Sequence, residues 1–88
     1  MSCTVRIASP LRSYTNGAAS VAAAGGTVAE VLADLDRRYP GLRFRMIDEQ
    51  DRIRRHIRLF VNDREAATLA EPVAGGDQIH LICALSGG

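Results

Sequence analysis

Lysine is absent from this 88-residue sequence: all 11 basic side chains are arginine, set against 10 acids for a formal net charge of +1. The chain therefore has no side-chain amine to form a Schiff base or accept an acyl group, and it lacks the positive excess that nucleic-acid binding draws on. Cysteine is scarce. Cys3 and Cys83 cannot fill a four-thiolate zinc or iron–sulfur site, and with the two histidines they show none of the close pairs that zinc sites use. No apolar run reaches membrane-spanning length and none opens the chain as a signal peptide does. The expected setting is thus cytoplasmic, with no membrane or nucleic-acid partner and both thiols reduced. Catalytic patterns are missing as well: there is no phosphate-cradling G-x-x-x-x-G-K, no Ser-His-Asp set recognisable by role and no evidently positioned carboxylate pair. One domain spanning residues 1–88 buries roughly 60–65% of its unfolded surface, which leaves no room for a sizeable enzyme cavity.

What is present is an ordinary globular composition, 47% hydrophobic and 24% charged, with clear local periods. Cys3, Val5 and Ile7 alternate with Thr4 and Arg6, as in a half-buried strand. Asn16-Gly17 predicts a two-residue hairpin turn, because both of its central residues must take positive φ, with a returning strand over 18–24. After Gly25-Gly26, Thr27 and Glu30 form a T-x-x-E capping box. Val28, Val31, Leu32, Leu35 and Tyr39 then follow at helical spacing until Pro40-Gly41 stops the helix. The charge-dense stretch 42–55 reads as a short helix or irregular loop anchored by Phe44, Ile47 and Met46 and not as a second core element, and its cluster Arg52, Arg54, Arg55 reads first as a solvated face and second as a docking surface. Ile57, Leu59 and Val61 alternate inward with His56, Arg58 and Phe60 outward. Asn62-Asp63 turns into a short strand near 64–66. Gly75-Gly76-Asp77 opens a last strand over 78–85, with Ile79, Leu81 and Cys83 on one face and His80, Ile82 and Ala84 on the other. The order β-β-α-β-β-β predicts an α+β domain, one main helix packed on one face of a mixed sheet.

Several stretches carry a resemblance: Arg38-Tyr39-Pro40-Gly41-Leu42 after the helix, Val61-Asn62 before a turn, Gly76-Asp77 opening the last strand, and the terminal Leu85-Ser86-Gly87-Gly88. Over essentially its whole length the chain resembles the ubiquitin-like sulfur carriers of the MoaD and ThiS family, small β-grasp proteins. It looks most like the carriers of cysteine or secondary-metabolite biosynthesis, and it departs from many molybdopterin-synthase small subunits at Ile82-Cys83-Ala84, where those carry prolines.

The resemblance implies a protein co-substrate and not an enzyme. An E1-like partner would adenylate the Gly88 carboxylate using its own ATP and magnesium, and sulfide or persulfide would displace AMP to leave a thiocarboxylate. A second enzyme, of cysteine, secondary-metabolite, molybdopterin or thiamin biosynthesis, would accept that sulfur, and a molybdopterin-synthase small subunit belongs to the same class of reading. The carrier would bind no cofactor itself and would dock transiently as a monomer. Gly87 and Gly88 suit a flexible tail, residues 85–88, because residues without Cβ thread a narrow channel. If the β-grasp order holds, the first and last strands run parallel, with Cys3 and Cys83 staggered by on the order of 10 Å, beyond disulfide reach. Phe60 and Ile82 would then lie side by side on the outward face, rimmed by Arg6, Arg58 and His80, as an exposed patch for partner enzymes. Two other functions use the same residues: a ubiquitin-like modifier forming isopeptides, and a β-grasp binding module with an idle tail.

Overall fold

The computed structural model describes residues 2–83. Strand β1, Ser2–Arg6, buries Cys3 and Val5 and leaves Ser2, Thr4 and Arg6 in solvent. Its antiparallel partner β2, Ser20–Ala24, is weak in β-branched residues and is held by a register that sets Val5 against Val21 and Cys3 against Ala23. The hairpin expected here exists, but the two-residue turn does not. A 3-10 helix, Ser9–Thr15, fills the connection, with Pro10 in its first turn, where no N–H is needed, and Leu11 buried beneath it. Asn16 and Gly17 do take positive φ, 56° and 87°, and they end that helix instead of closing the hairpin. The return strand consequently starts at Ser20 and not at residue 18.

Helix α1, Val28–Arg38, follows its sequence pattern. The Thr27 side chain accepts the Glu30 N–H at 3.2 Å, and the Glu30 carboxylate reaches back to the Gly26 N–H at 2.6 Å. Val28, Val31, Leu32 and Leu35 are all fully buried. Gly25 permits the tight entry: a Cβ there would sit 2.7 Å from the backbone nitrogen of Val31, which has no room to move. At the far end, the Asp36 carboxylate accepts the N–H groups of Gly41 and Arg43 at 3.1 and 3.2 Å. That clamp turns the chain into α2, Leu42–Met46.

Here the anchors differ from expectation. Leu42, Met46 and Ile47 are fully buried, whereas Phe44 is 56% exposed. The spacing explains it: residues i and i+4 share one face of a helix, and the residue midway between them points to the other side. The segment is also a core element in its own right.

Strand β3, Ile57–Val61, buries Ile57, Leu59 and Val61 as predicted. It pairs with the two-residue β4, Arg64–Glu65, and with β5, Gln78–Cys83. The sheet order is β2-β1-β5-β3-β4, with β1 and β5 parallel and every other pair antiparallel. This mixed sheet with a helix across one face is the ubiquitin-like β-grasp architecture. Its core joins Val5, Ile7, Leu59, Val61, Ile79 and Leu81 from the sheet to the apolar stripe of α1 and to α2.

Because Thr4 lies opposite Gln78, Cys3 stands level with Asp77, and Cys83 is six residues farther along. The separation along the sheet is therefore about 20 Å, twice that expected. Both thiols are free, Cys3 buried and Cys83 half-buried.

The exposed side of β2 is an edge, and α1 covers its polar groups. The Ala24 N–H donates to the Asp34 carboxylate at 3.0 Å, and the Arg38 guanidinium donates to the Ala22 carbonyl at 2.6 Å. Asp34 and Arg38 are themselves ion-paired at 2.9 Å. An edge satisfied in this way is a poor template for another strand. No helix among the described residues is long and apolar enough to cross a membrane.

Candidate functional site

The sheet face turned away from α1 collects the predicted interface residues, in an arrangement that register alone decides. Arg6 lies opposite His80 across the β1–β5 pair, and Phe60 lies opposite both His80 and Glu65. One row therefore runs Arg6, His80, Phe60, Glu65 across four strands. One step nearer the end of β5, Ile82 lies opposite Arg58.

Phe60 and Ile82 are consequently diagonal and not side by side, about 7–8 Å apart at their Cα atoms. Phe60 is also less exposed than expected. Flanked on both sides by His80 and Glu65, it is half-buried, and among the described residues the large apolar side chain open to solvent on this face is Ile82, 45% exposed. Arg58 does not rim the patch as a free charge, since it pairs with Glu65 at 3.0 Å. Arg6 is exposed.

The tail positions Leu85, Ser86, Gly87 and Gly88, and the outward position Ala84, lie outside the described residues. The last described residue, Cys83, pairs with Ile57, so the chain runs toward the tail beside the start of β3. A groove of about 290 Å³ opens next to that point, lined by Phe44, Arg45, Glu49, Arg54 and His56. The Arg45 charge reaches Cys83, where it opposes the rise in thiol pKa that burial causes. Burial likewise pushes the Cys3 thiol up. Both sulfurs are thus held away from the nucleophilic thiolate form.

Sequence reasoning missed this groove because it took Phe44 for a core anchor. The spacing of Leu42 and Met46 carried the signal that Phe44 faces outward.

Other residues in the resembling motifs turn out to be structural. The Asn62 amide donates to the Asp77 carboxylate at 3.0 Å, while its carbonyl accepts the Gln78 N–H at 3.0 Å. Asp77 also takes the Ala74 N–H at 2.9 Å. That backbone bond and the Asn62 amide hold the Asp77 carboxyl below the ordinary carboxylate range. The pair ties the β3–β4 turn to the first residue of β5, at the opposite end of that strand from the tail. In the other motif, Gly41 takes φ 94° and Leu42 is fully buried, while Arg38 lies 5.7 Å from the Tyr39 ring centroid as it reaches β2.

Comparison with known proteins bears on the same residues. The model of the ThiS family matches residues 5–88. The chain is 34% identical, over 93 aligned positions covering all of both chains, to the sulfur carrier protein CysO of Mycobacterium tuberculosis. In three dimensions it is similar to the crystal structure of M. tuberculosis CysO, described as an antigen, with TM-score 0.89 and 33% identity over 94% of this chain and 99% of that one. It is similar also to the Amycolatopsis orientalis BexX/CysO complex, with TM-score 0.91 and 35% identity over 98% and 99% of the two chains. A third likeness is to small archaeal modifier protein 1 from Haloferax volcanii, with TM-score 0.84 and 27% identity over the whole of both chains.

Proposed function

The chain belongs to the ThiS family, and from that premise we propose that it is a sulfur carrier whose Gly88 carboxylate is converted to a thiocarboxylate for biosynthesis of the cysteine type. The observation that carries this reading is the family match, which extends through Gly88 itself. Full-length similarity to a sulfur carrier supports it.

A carboxylate is a poor acyl donor, since its leaving group would be oxide, so it must first be activated. An E1-like enzyme supplies Mg-ATP: the Gly88 carboxylate attacks the α-phosphate, pyrophosphate leaves, and an acyl adenylate forms. Hydrosulfide then attacks the acyl carbon, AMP departs with the bonding pair, and the C-terminal thiocarboxylate remains. The carrier contributes a terminus without a side chain at the reacting carbon and a rigid sheet to present it. Ile82, with His80, Phe60, Arg6 and the Arg58–Glu65 pair, forms the face on which activating and accepting enzymes dock.

A second reading, a modifier that forms isopeptides with lysines of other proteins, draws on the likeness to small archaeal modifier protein 1. One experiment addresses both. The full chain and a variant lacking Gly88 are incubated with an E1-like enzyme, Mg-ATP and sulfide, and their intact masses are measured. Exchange of one oxygen for sulfur in the full chain alone is the expected result. An unchanged mass beside a control carrier that is converted refutes the reading, and linkage of Gly88 to proteins when host lysate is added to the same mixture would favour the modifier.

A further inference from the structure

Charge is spread unevenly over the described surface. Residues 43–58 hold six of the 11 arginines and three acids, a local excess of +3 in a chain whose net charge is +1. Three of those arginines are neutralised: Arg43 pairs with Asp51 at 3.1 Å, Arg52 with Asp48 at 3.6 Å and Arg58 with Glu65 at 3.0 Å. Arg45, Arg54 and Arg55 form no carboxylate ion pair among the described residues.

Two of the three are held in place by aromatic rings. The Arg54 guanidinium lies 4.6 Å from the Phe44 ring centroid and donates to the Phe44 carbonyl at 2.7 Å. Arg45 lies 6.0 Å from the Tyr14 ring centroid. Arg45 and Arg54 line the groove beside the end of β5, with Phe44 exposed between them, and Arg55 precedes its His56 wall. The one acid on that wall, Glu49, pairs with none of them.

We propose that Arg45, Arg54 and Arg55, together with Phe44, form a basic collar that docks an acidic segment of the enzyme acting on the C-terminus. The inference rests on the sulfur-carrier reading and adds to it a contact that the outward sheet face does not provide. Held guanidinium groups with an exposed aromatic are the composition of an interface anchor. Positive charge beside the end of β5 also orients the encounter with an acidic partner. A partner of the same sign would be repelled, so the collar selects for an acidic rim around the partner's tail channel.

The test is the dissociation constant for an E1-like activating enzyme, measured by titration calorimetry for four chains. These are the wild type, the chain lacking Gly88, Arg45→Gln/Arg55→Gln, and Ala33→Glu/Ala70→Glu. The last alters net charge equally at exposed positions outside the groove. Arg54 is left in place because its hydrogen bond to Phe44 serves the fold.

The arginine double variant is expected to bind about tenfold more weakly at roughly 0.05 M salt, with the difference vanishing near 0.5 M as the charges are screened. The glutamate double variant is expected to stay within about twofold of wild type. Equal weakening in both double variants would reduce the collar to net charge and overturn the proposal, as would an unchanged constant. A change confined to the Mg-ATP requirement would assign the groove to nucleotide and overturn it equally. The chain lacking Gly88 separates the two readings: it should bind but gain no sulfur. A full-length chain that binds with the predicted salt dependence yet is never sulfurated would refute the carrier function and leave the collar standing.

Discussion

Asn62→Ala isolates the clasp between the β3–β4 turn and β5, and its cost can be worked from the structure. The substitution removes two side-chain hydrogen bonds, to the Asp77 carboxylate and from the Gln78 N–H, each 3.0 Å long. At the low end of the usual net value, appropriate to an exposed site, these contribute about 0.5–1 kcal/mol each. Asn62 also sits at φ 54°, a left-handed conformation that asparagine tolerates and alanine resists by about 1 kcal/mol. The sum is about 2–3 kcal/mol.

With a urea m-value of about 1 kcal/mol per molar for a chain this short, the unfolding midpoint should fall by about 2–3 M, read by far-UV circular dichroism. Asn62→Gly removes the same hydrogen bonds without the φ penalty and should recover about 1 M of the loss. A midpoint within about 0.3 M of wild type for Asn62→Ala would refute the clasp. Equal losses for alanine and glycine would refute the conformational half of the argument. Sulfuration of the tail, at the other end of β5, should be unchanged in both variants under conditions where they remain folded.

Two further outcomes follow from the same contacts. Asp34, Asp48 and Asp77 are each held below the ordinary carboxylate range, chiefly by backbone N–H groups of Ala24, Arg52 and Ala74 respectively. Since a depressed folded pKa contributes its full stability above the unfolded value of about 3.9, the urea midpoint should be flat from about pH 7 to pH 5. It should then fall as pH drops below about 4 toward the folded values; a midpoint that rises on acidification would contradict the assignment. Asp34→Ala strips the β2 edge of its cap on Ala24 and frees Arg38 from its ion pair. Light scattering should then show concentration-dependent dimers or larger species that the wild type does not form, and a strictly monomeric variant would remove the edge-protection argument.

The clasp also bears on how the motif residues are understood. Asn62 and Asp77 flank turns that look like loop sites where chemistry is done, yet their side chains satisfy one another and the adjacent backbone. Their contribution is to stability: they close the turn at the start of β5, at the opposite end of that strand from Cys83.

Much of the architecture was legible from local spacing. The cap at Thr27, the buried stripe of α1, and the inward alternation of Ile57, Leu59, Val61, Ile79 and Leu81 follow from the two periods of regular backbone, which depend only on near neighbours in the chain. The fate of Leu42, Phe44 and Met46 was equally available from helical geometry, although the density of charge around them obscured it.

Tertiary structure decided the rest. Register between strands far apart in sequence set Phe60 against His80 and Ile82 against Arg58, and it doubled the distance between the cysteines. The burial of Leu11 beneath a 3-10 helix displaced the hairpin turn that Asn16-Gly17 signals. The sorting of eleven arginines into six with carboxylate partners and five without among the described residues required the fold, because whether a charge is satisfied depends on which groups approach it in space.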